Sequence, residues 1–402
     1  MHLHTRLSKV MALALLVPAV LTLITTAILT TILTTILPGR ALAGPTLLFE
    51  AQSGRVLYAE GLDDQWHPAS LTKMMTAYLT FQALKTGKLK LETQIIYSEA
   101  AQAQPPSKIG LPVGATISVD LALQSIIVKS ANDIAVALAE AIGGSEAQFV
   151  EAMNATARRL GMSRTVFRNP HGLPAAEQVS TARDLARLAT AVVRDFPQYA
   201  HYWGQSQMQV GAVKIVSHNG LFKTLPGVDG MKTGFICDSG YNVVASATRD
   251  GVRLMAVVLG EMSAADRNLR AHSLIEHGFA TMGWKILFGA KDTIATMPVP
   301  RDAKDAASIR ESVIATECNN RRVARAAAVA RQRIKARNRA AAAAKRAAQK
   351  GNAAAAKAAT APKGAAKAAG TTAKKPPAVA PAKASVASKA VPAATGGSAA
   401  PR

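Results

Sequence analysis

The sequence lacks the residue patterns of a disulfide scaffold and of a metal site. Its 402 residues include only two cysteines, and none of the eight histidines has another histidine four positions along the chain. Two cysteines are too few to hold a small fold together, and here they are not spaced as Cys-x-x-Cys. The sequence therefore predicts neither a bound metal nor a cofactor.

Charged residues are missing from a long stretch near the start of the chain, between Lys9 and Arg40. A basic start, an apolar stretch and then the small residues of Ala41-Leu42-Ala43 are typical of a secretory signal. We therefore predict a signal peptide over residues 1–43 and export to the periplasm or cell envelope. Because the apolar run is long enough to cross a bilayer, a retained membrane anchor is the alternative.

Export also bears on the two cysteines, Cys237 and Cys318. Disulfides form and persist in oxidising compartments outside the cytoplasm. We predict that these two residues pair, which would tie the far end of the chain to the body of the protein.

Acidic residues are absent from the last part of the chain. Residues 318–402 contain 19 lysines and arginines and no aspartate or glutamate, whereas the residues before them hold 29 basic and 25 acidic groups. Residues 321–350 have a helix-favouring composition without an apolar stripe, and the remainder has too few apolar groups to fold. We predict a linker over 291–317 and then a basic tail over 318–402, helical at first and disordered beyond. The positive charge of the tail favours an anionic membrane or wall surface as its partner, and we predict no specific nucleic acid. The alternative is a solvated run of charges without a partner.

The body of the chain, residues 44–290, has strand patterns at both ends and helical patterns between them. Strand-forming runs joined by turn residues predict hairpins over 46–59 and 241–259. Helical periodicity covers residues 71–84, 120–142, 146–160 and 264–282. Ser180 is a candidate N-cap for a further helix. This order predicts an α+β domain, an antiparallel sheet faced by a helical lobe.

A serine and a lysine three positions apart stand at the start of the first predicted helix, in Ser70-Leu71-Thr72-Lys73. Positions three apart share a helix face, so the lysine nitrogen is able to approach the serine hydroxyl. A serine becomes a strong nucleophile beside a base, and a lysine is a base when it is neutral. Burial and a second positive charge both lower a lysine pKa. Ser70 and Lys73 are therefore a candidate nucleophile and base.

Two further short motifs supply the other groups that such chemistry needs. Ser130-Ala131-Asn132 offers a hydroxyl to relay a proton and an amide to hold a substrate carbonyl. Lys232-Thr233-Gly234 offers a positive charge for a substrate carboxylate, a second cation beside Lys73 and a glycine that lets a ligand approach the backbone. Ser-x-x-Lys, Ser-x-Asn and Lys-Thr-Gly in this order are the signature of β-lactamases and penicillin-binding proteins.

Longer segments around these motifs resemble the low-molecular-mass penicillin-binding proteins of the serine-type D-alanyl-D-alanine carboxypeptidase family. The segments are Pro68–Thr76, Val128–Asp133, Asn169–Leu173, Ser180–Asp184, Val228–Gly234 and Gly240–Thr248, and the resemblance covers about residues 44–285. It implies a β-lactamase/transpeptidase-like fold. It also implies a role in peptidoglycan biosynthesis, and so in cell-wall organisation and cell shape.

The same resemblance implies a role for each matching residue. Ser70 would be the acylated nucleophile, Lys73 its proton acceptor and Ser130 a proton relay. Substrate contacts would come from Asn132, Lys232, Thr233, Gly234 and Arg267. The backbone amides of Ser70 and Phe235 would form the oxyanion hole.

This chain departs from the family's pattern in two places. Phe235 stands where a histidine is common in the family. A role that depends on the histidine side chain is therefore in doubt here, whereas the backbone amide is unaffected. The β-sandwich that often follows the catalytic domain has no counterpart in the sequence. His171, in Asn-Pro-His-Gly-Leu, is interpreted as a structural residue.

The sequence therefore predicts a carboxypeptidase that removes the terminal D-Ala from peptidoglycan stem pentapeptides through an acyl-enzyme on Ser70, with β-lactams as inhibitors. A D,D-endopeptidase acting on cross-links is one alternative, since it would use the same residues. A class A-like β-lactamase is another, but no Glu-x-Glu-Leu-Asn type string occurs between Asn132 and Lys232 to drive deacylation. A wall-binding protein with an inactive domain is a third, and the intact motifs argue against it.

Overall fold

A five-stranded antiparallel sheet forms the centre of the fold in the computed structural model, which describes residues 44–288 and 292–313. Its strands are β1 (Thr46–Glu50), β2 (Val56–Glu60), β7 (Val228–Ile236), β8 (Gly240–Arg249) and β9 (Val252–Glu261). They lie in the order β2-β1-β9-β8-β7, so the first strand of the described chain, β1, pairs with the last, β9. Two further two-stranded sheets occur in the described residues: β3 (Gln94–Ile96) pairs with β4 (Thr116–Ser118), and β5 (Gln207–Val210) pairs with β6 (Val213–Val216).

Eight α-helices occur in the described residues, most of them on one face of the sheet. They are α1 (Lys73–Lys85), α2 (Glu99–Ala103), α3 (Val119–Gln124), α4 (Asn132–Gly143), α5 (Glu146–Arg159), α6 (Ala182–Asp195), α7 (Ala264–Phe288) and α8 (Arg310–Val313). Helix α1 is buried on nearly every side, from Lys73 to Phe81, and forms the middle of the helical lobe.

Both faces of the large sheet are covered, which explains why β8 and β9 are apolar almost throughout. One hydrophobic cluster joins Val244 and Val257 to the helical lobe. A second joins Val243 and Val258 to Ala271 and Ile275 of α7 on the opposite face. Strands buried on both faces read as continuous apolar runs because neither set of side chains faces water.

The predicted α+β class is confirmed, with two local differences. The helical pattern over 120–142 is interrupted at Ser130, whose left-handed backbone (φ 60°, ψ 38°) ends one helical segment before α4 begins. The N-cap of α6 is Thr181, which accepts a hydrogen bond from the amide of Asp184, so the prediction of Ser180 was wrong by one residue. The amide and carbonyl of Ser180 instead pair with the backbone of Trp66.

Much of the predicted linker lies against the domain over residues 292–313. Ile294, Ile309 and Val313 are buried, and the carbonyl of Lys304 accepts a hydrogen bond from the amide of Gln65. In the described part of the chain, no helix is both long and apolar enough to cross a membrane. The predicted signal peptide, the basic tail and the exact domain boundaries involve residues outside those described and stay predictions.

Candidate active site

The candidate nucleophile stands at the beginning of the central helix. Ser70 lies in a 3-10 turn, Ala69–Thr72, that leads directly into α1. This places the Nζ of Lys73 3.1 Å from the Oγ of Ser70. The predicted approach of the two side chains on one helix face is therefore present in the fold.

Lys73 is fully buried among polar acceptors. Its Nζ donates to the Oδ1 of Asn132 at 2.8 Å and to the carbonyl oxygen of His171 at 2.6 Å. Burial, and then the charge of Lys232, hold the pKa of Lys73 well below its usual value, against an opposing effect of Asp133. A neutral amine has two N–H groups and one lone pair. With both N–H groups directed to these acceptors, the lone pair faces the hydroxyl of Ser70.

The second motif lies where the helical pattern breaks. The left-handed backbone of Ser130 turns the chain between two helical segments, so that Ser130 and Asn132 both reach the cleft. The amide nitrogen of Asn132 donates to the carbonyl of Pro105 at 3.0 Å, which fixes its Oδ1 toward Lys73. The side chain of Asn132 thus orients Lys73, the candidate base.

The third motif lies on β7, the edge strand of the sheet. The Nζ of Lys232 is buried and donates to the Oγ of Ser130 at 3.0 Å and to the carbonyl of Thr233 at 2.9 Å. Burial, and then the charge of Arg267, lower the pKa of Lys232 to about 7. The second cation that the sequence predicted near Lys73 is therefore in place.

Two glycines let the surrounding backbone approach Ser70 closely. A Cβ on Gly234 would lie 3.0 Å from the amide nitrogen of Ser70, tighter than ordinary van der Waals contact. A Cβ on Gly172, which has a φ of +85°, would overlap the carbonyl of Ala69. Strand β7 and the loop around Gly172 therefore hold the turn of the nucleophile from two sides.

These elements enclose a cleft of about 440 Å³ whose lining includes the cations Lys129 and Arg267, and Lys232 is bonded to Ser130 in the same lining. Ser70, Thr233 and Phe235 line it, and so does Arg267, which is 3% exposed. The Nη2 of Arg267 donates to the carbonyl of His218 at 3.2 Å, and burial lowers its pKa to about 10. Among the described residues, no aspartate or glutamate lines this cleft, and no group of three or more His, Cys, Asp or Glu side chains is placed to hold a metal ion.

The fold brings together every residue that the sequence singled out for the cleft. The carbonyl of His171 as a partner of Lys73 was not predicted, since a main-chain acceptor leaves no signal of its own. Its ring accepts a hydrogen bond from the amide of Leu173 at 3.2 Å, and burial and Lys73 lower its pKa to about 3, as expected of a structural histidine. Cys237 is in a disulfide, but Cys318 lies outside the described residues, so that pairing stays a prediction.

The fold is an antiparallel sheet faced by helices, and its cleft holds a serine–lysine pair between a Ser-x-Asn turn and a Lys-Thr-Gly edge strand. This combination defines a penicillin-recognising class of serine peptidases. The family model of the D-alanyl-D-alanine carboxypeptidases, Peptidase S11, matches residues 34–263. The chain belongs to this family.

Curated relatives and solved structures agree with this assignment. D-alanyl-D-alanine carboxypeptidase DacA of Haemophilus influenzae is 38% identical over 249 residues, 60% of this chain and 63% of the relative. DacF of Bacillus subtilis is 34% identical over 264 residues, 64% of this chain and 68% of the relative. The chain thus matches less than two thirds of the first relative's length.

The solved structures cover a similar part of the chain. Penicillin-binding protein 5 from Haemophilus influenzae aligns with a TM-score of 0.58 and 37% identity, over 61% of this chain and 73% of the other. Penicillin-binding protein D2 from Listeria monocytogenes, in its cefotaxime-bound form, aligns with a TM-score of 0.55 and 30% identity, over 60% of this chain and 99% of the other.

Proposed function

We propose that this protein is an exported serine-type D-alanyl-D-alanine carboxypeptidase that removes the terminal D-Ala from peptidoglycan stem pentapeptides. The observation that carries the proposal is the buried Lys73, whose Nζ lies 3.1 Å from the Oγ of Ser70. Membership of the carboxypeptidase family supports the same reaction.

In the first step, the Oγ of Ser70 attacks the carbonyl carbon of the penultimate D-Ala and its proton passes to the neutral amine of Lys73. The carbonyl oxygen becomes an oxyanion, which the backbone amides of Ser70 and Phe235 stabilise. Preorganised donors of this kind stabilise the transition state more than the substrate, and so raise the rate of acylation.

In the second step, the peptide C–N bond breaks and the departing D-Ala amine takes up a proton. This is the proton that Lys73 accepted from Ser70, so Lys73 becomes neutral again, and Ser130 would relay it, because its Oγ is hydrogen-bonded to Lys232 and it lines the cleft with Ser70. A water molecule then attacks the ester carbonyl and gives a proton to Lys73, which returns a proton to the Oγ of Ser70 as the ester bond breaks and the shortened peptide leaves.

The terminal carboxylate of the substrate would bind beside Lys232 and Arg267. These two residues supply positive charge, and Thr233 and Gly234 line the cleft with Arg267. The Nδ2 of Asn132 donates one N–H to Pro105 and keeps the second N–H for a substrate carbonyl. A carboxylate bound between two cations places the preceding peptide bond over Ser70, which is what an exopeptidase requires.

β-Lactams are proposed to acylate the same serine and to inhibit the enzyme. In the family's solved structures, the Listeria protein D2 was captured with cefotaxime and with ampicillin. Because no carboxylate among the described residues lines the cleft, no base of the class A β-lactamase type is present there to hydrolyse the acyl-enzyme.

Export through residues 1–43 would bring the enzyme to its wall substrate, and the 19 positive groups of residues 318–402 would hold it on anionic membrane or wall surfaces. These roles rest on composition and charge.

The test is to incubate the full-length protein with a stem pentapeptide and, separately, with a cross-linked dimer. We expect release of free D-Ala from the pentapeptide, and Ser70→Ala is expected to abolish both that release and labelling by fluorescent penicillin. Release of monomers from the dimer without D-Ala from the pentapeptide would support an endopeptidase. Labelling that survives Ser70→Ala would contradict the assignment of the nucleophile.

A further inference from the structure

A second cavity, of about 450 Å³, adjoins the active-site cleft. Ile236, the last residue of β7, lines both spaces. Leu173 also lines the cleft, and the next residue, Pro174, lines the second cavity. The two spaces therefore share Ile236 and are adjacent again at Leu173 and Pro174.

One wall of this cavity comes from the segment after the catalytic domain. Ala306 and Ser308 line it. The segment is anchored on both sides of Ala306: the amide of Lys304 donates to the Oδ1 of Asp64 at 2.8 Å, and the guanidinium of Arg310 donates to both carboxylate oxygens of Asp238 at 2.9 Å. These anchors give the wall a defined position.

The substrate's direction in the cleft follows from where its charge is bound. Along β7, Lys232 comes first, then Gly234 beside Ser70, and then Ile236. The terminal carboxylate is held at the Lys232 end, and the acyl part lies on the other side of the scissile carbonyl. The acyl chain must therefore leave the cleft toward Ile236, where the second cavity begins.

We propose that this cavity is a specificity site for the stem-peptide residues on the amino side of the two D-alanines, with the segment around Ala306 as its outer wall. The proposal rests on the carboxypeptidase function proposed above. The cavity has the size of a small-ligand site, and its lining combines apolar side chains with the imidazole of His67 and with Asp238, whose carboxylate accepts hydrogen bonds from Ser308 and Arg310.

The experiment compares two substrates that end in the same dipeptide, a stem pentapeptide and acetyl-D-Ala-D-Ala. The full-length protein is expected to turn over the pentapeptide with the higher kcat/KM. Ala306→Trp and Ala176→Trp each place a large side chain in the lining of the cavity, from two separate segments of the chain. Each is expected to reduce the ratio of the two kcat/KM values by about tenfold or more, since upstream binding energy is lost only for the longer substrate.

Ala307→Trp is the matched control, because Ala307 is exposed and lies outside the lining. It should leave the ratio unchanged. Labelling of each variant by fluorescent penicillin shows that Ser70 and its surroundings remain intact. The proposal is overturned if the wild type does not prefer the pentapeptide, or if the ratio is unchanged in both lining variants. It is likewise overturned if Ala307→Trp lowers the ratio equally. Failure to release D-Ala from either substrate would instead contradict the proposed function.

Discussion

Asp63 and Arg183 form a buried ion pair whose removal we expect to destabilise the whole domain. The Nε and Nη2 of Arg183 donate to the two carboxylate oxygens of Asp63 at 2.6 and 2.7 Å. The two side chains are only 3% and 2% exposed. Arg183 also donates to the carbonyls of Ile294 and Met297, at 2.6 and 2.8 Å, and thereby joins helix α6 to the segment after α7.

Asp63→Ala leaves the guanidinium buried with no anion beside it. Breaking a buried pair by removing one partner costs about 3–5 kcal/mol, because the remaining charge is uncompensated. The carbonyls of Ile294 and Met297 still accept hydrogen bonds from Arg183, so we expect the lower end, about 3 kcal/mol. For a domain of this size, that loss corresponds to a fall in Tm of roughly 6–12 °C.

The assay is urea unfolding of the full-length protein followed by circular dichroism, with Glu177→Ala as the matched control. Glu177 pairs with Arg168 at the surface, where the side chains are 72% and 48% exposed. Exposed pairs contribute at most about 1 kcal/mol, so this variant should change the free energy of unfolding little. A loss below about 1 kcal/mol for Asp63→Ala would refute the reasoning that an unpaired buried charge dominates the effect.

Three further predictions concern chemistry and attachment. Lys73 is a base only when neutral, and Lys232 lowers its pKa, so Lys232→Gln should raise that pKa and move the rise of penicillin acylation rate to higher pH. An unshifted pH profile would show that the two lysines do not interact. Full-length protein should sediment with envelope fractions at low salt and be released at high salt, whereas a chain without residues 318–402 should stay in solution at both salt concentrations. Equal sedimentation of the two chains would show that the tail does not attach the protein to the envelope. If Cys237 and Cys318 pair, titration of the unfolded, unreduced protein should find no free thiol, and two reactive thiols would rule the bond out.

The local elements of the active site were predictable from the sequence because short-range rules decide them. Ser70 and Lys73 share a helix face by their spacing of three, and the apolar runs of β8 and β9 with a turn between them predict a hairpin. The order of the three motifs along the chain is enough to indicate the penicillin-recognising class. The hydrophobic periodicity predicted one helical pattern over 120–142 and missed its interruption at Ser130, because periodicity carries no sign of a left-handed backbone.

The groups around the base could not be predicted in the same way, because packing brings them from distant parts of the chain. The carbonyl of His171 reaches Lys73 across 98 positions, and Lys232 reaches Ser130 across 102. Burial is also a tertiary property, and it is the largest cause of the lowered pKa of Lys73.

By itself, the sequence determined the elements, the motifs and the chemical class of this protein, since these depend on residue spacing along one helix or strand. Only the tertiary structure decided which acceptors surround Lys73, how closely Gly172 and Gly234 approach the nucleophile and where the segment around Ala306 lies. These depend on contacts between residues far apart in the chain. Such contacts leave no periodic pattern, because their partners are set by the packing of whole elements.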